Sequence, residues 1–237
     1  WNYTLCMNIK EAQKTEGFLL VDKPVDWTSH DVVGYLRKIT GIKKIGHAGT
    51  LDPFATGLLI VGVGRSATKQ LDTFKELPKT YEATVHLGAT SDTQDSTGTI
   101  TEQSGCAIPT LSEMQKTVSS FIGTQTQIPP MHSAKKVGGK KLYTLARKGI
   151  EIERTPHEIT IYDITQDEYS FPTLTITVHC STGTYIRTLA HDIGQTVTTG
   201  AYCKELRRTR IGEYDVEKAQ KPKDITNEHW QKYIFHI

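Results

Sequence analysis

Apolar and polar positions along the chain follow two periods, one of strands and one of helices. The run at 17–22 (Gly-Phe-Leu-Leu-Val-Asp), stopped by Lys23-Pro24, predicts a short buried strand. Val32, Val33, Leu36 and Ile39 recur at helical spacing behind Thr28 and Ser29, either of which can cap a helix, and Gly41 closes it. A second buried strand is predicted at 58–63. Tyr81, Ala83, Val85 and Leu87 alternate with Glu82, Thr84 and His86, the mark of a half-exposed strand with Tyr81 on its inward face. Further helices are predicted near 112–122, 142–148 and 185–193, and further strands near 158–169, 174–180 and 206–214. Glycine- or proline-rich loops are expected at 46–53, 91–98 and 127–139.

Helices and strands do not alternate regularly enough for a doubly wound sheet. The pattern predicts an α/β chain of the α+β type, with a mixed, largely antiparallel central sheet flanked by helices and loops. One catalytic region is expected at 17–214. Residues 1–16 form an N-terminal extension, expected to fray. The tail at 215–237 is too short to be an independent domain.

Composition narrows the class. The chain has 237 residues, 37% hydrophobic and 23% charged, which is ordinary globular usage and excludes wholesale disorder. Its longest apolar run is strand-sized, so no membrane span is expected. A net charge of +2 selects no partner class, and any nucleic-acid surface must come from local clusters. Lys135-Lys136, Lys140-Lys141, Arg147-Lys148, Lys204 and Arg207-Arg208 with Arg210 are the candidates. The four cysteines include no CxxC pair, which disfavours a zinc site or a disulfide framework and fits a reducing cytoplasm. No secretory signal opens the sequence.

The candidate chemistry lies in Gly46-His-Ala-Gly-Thr-Leu-Asp-Pro53. Two glycines allow close backbone approach, and Pro53 keeps Asp52 extended. Asp52 is either a functional carboxylate on a stiff loop or the acceptor of a local Asx-type turn. Two other signals are weaker. Gly62-Val-Gly64-Arg-Ser-Ala67, with Glu82 beyond it, mimics a dinucleotide fingerprint without the βαβ context. Asp92 and Asp95 suggest a metal site but suit turn chemistry equally.

The segment GHAGTLDPFATGLL resembles the catalytic motif of the TruB family of pseudouridine synthases. LLVDKPVDWTSHDVV, KTYEATVHLGATSDTQDSTG, QIPPMHSAKKVGGKKLYTLARKG, STGTYIRTLAHDIG and LRRTRIGEY resemble further blocks of that family, in order, over most of 17–214. Two features depart from it. The family's long members carry a C-terminal PUA RNA-binding domain, which is not expected within 215–237, and His132 stands where the family usually has Tyr.

The resemblance implies a pseudouridine synthase fold and an RNA isomerase that breaks the ribose–N1 bond of a flipped-out uridine, turns the base and rejoins it through C5. It implies Asp52 as nucleophile, Arg187 as the cation beside it, and Tyr81 stacking on the base with its hydroxyl near C5. His47, Tyr185 and Leu206 are implied in substrate binding. The implied substrate is the T stem-loop of tRNA at position 55. No cofactor, metal, guide RNA or protein partner is required, and the enzyme is expected to act as a cytoplasmic monomer. The GGKKLYTLARKG segment favours this stand-alone form over guide-RNA relatives. A rival function is folding assistance, a tRNA-binding chaperone with little or no catalysis.

Overall fold

A computed structural model describes residues 16–133, 136, 137, 139–146, 149, 150 and 152–237. The expected fraying of 1–16 falls, but for Glu16, outside the described residues, as do several of the basic positions between 135 and 148. The chain forms two compact units. One comprises the chain up to Leu77 together with Arg208–Ile237, and the other Pro78–Arg207.

The first unit contains β1 (Gly17–Lys23), α1 (Ser29–Thr40), β2 (Ile45–Ala48), β3 (Thr56–Val63), α2 (Arg65–Lys69) and α3 (Asp72–Lys75). Strand β3 is its centre. It pairs antiparallel with β1 from Gly17↔Val63 to Lys23↔Gly57, and with β2 from Ile45↔Val63 to Ala48↔Ile60. Every residue of β3 after Thr56 is buried because both faces are covered. Leu59, Val61 and Val63 pack with Val32, Val33 and Leu36 of α1 and with Ile225 and Trp230. Leu58 and Ile60 face Phe18, Ala67, Leu71, Phe74, Ile211 and Val216. Burying a large apolar side chain is worth about 1.5–3 kcal/mol, so this two-sided strand anchors the unit.

Helix α1 begins as the sequence predicts. Thr28 caps it in a reciprocal box with Asp31, and Gly41 ends it at φ 71°. The tail beyond 214 is fastened along β1: Phe18 and Phe235 exchange main-chain bonds of 2.9 Å, and Gln220 bridges Leu20 and Asp22. A four-residue strand, β2, occupies part of the region expected to be loop.

The second unit contains β4 (Lys79–Leu87), β5 (Ala89–Ser91), β6 (Ile100–Glu102), α4 (Leu111–Ser120) and β7 (Gly123–Gln127). After the short strands β8 (Lys136–Val137) and β9 (Lys140–Lys141) come α5 (Leu142–Ala146), β10 (His157–Ser170), β11 (Thr173–Cys180), α6 (Ile186–Thr196) and β12 (Ala201–Ile211). From Arg208 onward β12 belongs to the first unit, where β13 (Tyr214–Asp215) pairs with it. Strands β4, β11, β10 and β7 run antiparallel in that order, as the α/β expectation requires. Helix α4 packs on β10, and α6 on β4. Helix α4 is capped at Phe121, and Gly123 opens β7.

Two glycines give opposite expectations. Gly34 is exposed in α1 with open space around the position of a Cβ, so Gly34→Ala raises stability by about 0.5–1 kcal/mol. Gly57 sits at φ 102° with its missing Cβ directed onto the main chain of Arg208, so Gly57→Ala costs at least ~2 kcal/mol. Urea unfolding of the two variants checks both signs.

Candidate active site

Asp52 and His47 lie in the first unit. Asp52 is half-buried on the connection between β2 and β3. The main chain around it is held at successive residues. Gly49 O accepts a 3.2 Å bond from Arg208 Nη2. Ser29 Oγ accepts from Leu51 N at 2.9 Å and donates to Leu51 O at 3.2 Å, so one hydroxyl satisfies both polar groups of that peptide residue. Pro53 O accepts from Asp26 N at 2.9 Å and from Lys23 Nζ at 3.3 Å. Ala55 N closes the turn onto Asp52 O at 3.1 Å.

Lys23 is fully buried. Its ammonium also donates to Trp27 O at 2.6 Å and Pro24 O at 2.8 Å. Burial pushes its pKa down from 10.5 to about 8, while the carboxylates of Asp52 and Asp26 pull it back up. A cation therefore sits close enough to Asp52 to feel its charge. Arg208 is buried as well, with Nε donating to Leu58 O at 2.8 Å. This corrects the sequence-based placement of Arg208 in a surface cluster for phosphate contacts: it is a strut between β3 and the Asp52 loop.

His47, on β2, is half-buried, with its ring edge-on to His30 at 5.5 Å. Burial, reinforced by His30, Arg208 and Lys75, pushes its pKa down from 6.5 to about 4. The imidazole is neutral at neutral pH, and its Nδ1 is buried with no hydrogen-bond partner.

Arg187, Tyr185, Tyr81 and Leu206 lie in the second unit. Arg187, in the first turn of α6, is 2% exposed, which excludes a solvated surface arginine. Its Nη1 meets Asp95 Oδ2 and Thr93 O, both at 3.1 Å, and Nη2 donates to His132 O at 2.7 Å. His132 thus serves Arg187 through its main chain, a contact that does not depend on which ring stands there. Asp95 is itself organised by its turn: its Oδ1 accepts from Thr93 Oγ1 at 2.7 Å and Thr97 N at 3.0 Å. Turn chemistry and an ion pair account for Asp95, and no cluster of His, Cys, Asp or Glu able to hold a metal occurs among the described residues.

Tyr81 is half-buried on β4 opposite Val178, with Ala83, Val85 and Leu87 buried on the same face. Tyr185 is half-buried immediately before α6, and Leu206 is 8% exposed on β12. Lys204 and Arg210 are exposed on β12, and Arg210 pairs with Asp215 at 2.8 Å. The dinucleotide-like glycines lead only into α2, five residues long. Sequence reasoning did not single out Lys23 or Ser29, and it read Arg208 as a phosphate contact and Asp95 as a turn or metal residue, not as the strut of the Asp52 loop and the partner of Arg187. Lys23 and Ser29 stand in the quoted block LLVDKPVDWTSHDVV, but their targets are 30 and 22 residues away along the chain, respectively.

Comparison with known proteins defines the class. A model of the pseudouridylate synthases, "TruB family pseudouridylate synthase (N terminal domain)", matches residues 37–186, and "tRNA pseudouridylate synthase B C-terminal domain" matches 187–235. The chain belongs to the TruB family of pseudouridylate synthases. It is 44% identical over 225 residues to tRNA pseudouridine synthase B of Desulfotalea psychrophila, covering 93% of this chain and 92% of that one. It is 46% identical over 207 residues to the protein of the same name from Chlamydia muridarum, covering 87% and 85%. Among solved structures it resembles a chain from the crystal structure of a Cbf5-Nop10-Gar1 complex, with a TM-score of 0.71 and 27% identity over 93% of this chain. It spans 56% of that larger chain.

Two measurements test the first unit. Ser29→Ala strands the buried polar groups of Leu51 and lowers stability by about 1–3 kcal/mol in urea unfolding. For His47, the unfolded chain takes up a proton near pH 6.5, whereas the folded chain resists until about pH 4. Its contribution is complete above pH 6.5 and is lost as pH falls toward about 4. His47→Gln removes that loss, so its stability curve is flatter than the wild type's in the same window.

Proposed function

We propose that this protein converts uridine to pseudouridine in tRNA, at position 55 of the T arm, without a guide RNA. The observation that carries the reading is the Asp52 loop, pinned at Gly49, Leu51 and Pro53 beside a buried lysine. Near full-length similarity to proteins named tRNA pseudouridine synthase B supports tRNA as the substrate. The much closer identity to those proteins than to the Cbf5 chain supports the stand-alone form.

The target uridine first leaves its stack, at a cost of a few kcal/mol. Asp52 then acts as nucleophile through a covalent intermediate. Its carboxylate bonds to C1′ as the N1–C1′ bond breaks, the base turns, and C5 then bonds to C1′ as the bond to Asp52 breaks. A proton leaves C5 and one is taken up at N1. Nothing is oxidised or reduced, so the balance needs no cofactor or metal. Tyr81 stacks on the base, a contact worth about 1–3 kcal/mol, with its hydroxyl near C5. Arg187 supplies positive charge to the Asp52 carboxylate. Neutral His47 holds the extruded RNA conformation, and Tyr185 and Leu206 line the base pocket. Lys204, Arg207 and Arg210 supply phosphate contacts. The protein acts as a monomer in the cytoplasm.

The test is modification mapping on an unmodified tRNA transcript with the purified protein and no other RNA. The expected result is pseudouridine at position 55 alone. Pseudouridine at other positions, or formation only after a guide RNA is added, would refute the assignment.

A further inference from the structure

The residue that opens α6 is an unusual one. Tyr185 is the N-cap, with φ −97° and ψ 105°, and its side chain makes no cap bond. Ser, Thr, Asp and Asn are the usual N-caps because a short side-chain oxygen accepts an orphan N–H at the helix start. Here another residue fixes the helix start. Gln127, the last residue of β7 and only 3% exposed, directs its side-chain amide at the main chain of Tyr185. Its Oε1 accepts from Tyr185 N at 2.8 Å, and its Nε2 donates to Tyr185 O at 3.0 Å. The amide thereby imitates a strand neighbour and holds one residue from both sides. Tyr185 O also accepts the first helical bond, from Leu189 N at 3.1 Å.

The approach to Tyr185 is tethered by the strand beside β7. His157, directly opposite Gln127 in the β7–β10 register, lies 3.0 Å through Nε2 from Gly183 O. Its ring stands edge-on to that of Tyr185 at 6.1 Å. Ser181 exchanges bonds with the main chain of Thr160, at 2.8 and 2.9 Å. Two residues beyond the clamp, Arg187 reaches Asp95, Thr93 O and His132 O. A small rotation of the Tyr185 peptide would move both the Tyr185 ring and the Arg187 guanidinium, because the helix transmits it directly.

The geometry points to Gln127 as a positioning residue for the reaction: its amide sets the start of α6 and so the direction in which Tyr185 and Arg187 are presented to the RNA. The inference rests on the proposed role of those two residues, and the control in the test separates it from that role. Gln127 touches neither base nor sugar in this account. Its signature is a slowed chemical step with RNA affinity retained.

The experiment compares single-turnover pseudouridine formation on a T-arm stem-loop, stem-loop affinity and thermal midpoint for wild type, Gln127→Met and Gln127→Glu. Gln127→Met keeps the length of the side chain and removes both bonds. It is expected to slow the single-turnover rate about tenfold or more, with affinity within about twofold of wild type. Gln127→Glu keeps the acceptor for Tyr185 N but places a second oxygen against Tyr185 O. Its carboxyl regains a donor when protonated, so its rate relative to wild type is expected to rise as pH falls from about 8 to about 6. His157 faces the same turn in both proteins, and the ratio to wild type cancels what the two share. A Met variant that is folded and turns over at the wild-type rate overturns the inference, as does a Glu variant whose relative rate stays flat with pH. If the Met variant fails to fold, the Glu ratio alone decides. An inactive wild type would instead contradict the proposed reaction itself.

Discussion

A half-buried carboxylate can act as a nucleophile only if its loop cannot relax away from the substrate, and here that constraint is met by hydrogen bonds to the main chain. Gly49, Leu51 and Pro53, around Asp52, give their carbonyls to Arg208, Ser29, and Asp26 with Lys23. Two of those donors are buried cations, which would be expensive in an apolar interior without such acceptors. The dependence is mutual: the loop satisfies the cations, and the cations hold the loop. Lys23 adds electrostatics, since the charge of Asp52 helps keep it protonated against the cost of burial.

The second unit solves a related problem at a helix terminus. Arg187 is almost fully buried, so its charge needs a fixed partner, and Asp95 supplies one from a turn organised by threonines. The start of α6 is secured by an amide from a neighbouring strand in place of a capping side chain. In both units, the residues implied in chemistry are few, and the residues that aim them lie far away in sequence.

Much of the scaffold was legible in the sequence. The apolar run of β1, the cap and glycine stop of α1, and the alternation of β4 are local patterns, and each appears where the pattern puts it. Strand β2 was not legible, because four residues containing a glycine and a histidine carry no alternation and pair only through β3. Arg208 shows a signal that was passed over. Strand periodicity places it on the same face as buried Leu206, although a run of arginines by itself suggests a surface. The Asp52 loop was recognisable as a motif. The means of holding it were not: Ser29 to Leu51 spans 22 residues, Lys23 to Pro53 spans 30, and Gln127 to Tyr185 spans 58. Nothing local records such pairings, which exist only once the sheet has formed.

The central claim is that the Asp52 carboxylate performs the first bond-making step on an extruded uridine. The most direct measurement is the release of tritium from tRNA labelled at C5 of its uridines, under single-turnover conditions, by wild type and by Asp52→Asn, which keeps the loop's shape and removes its charge. The account predicts release by the wild type and none by the Asn variant, with tRNA still bound by both. Release by the Asn variant at the wild-type rate would contradict it.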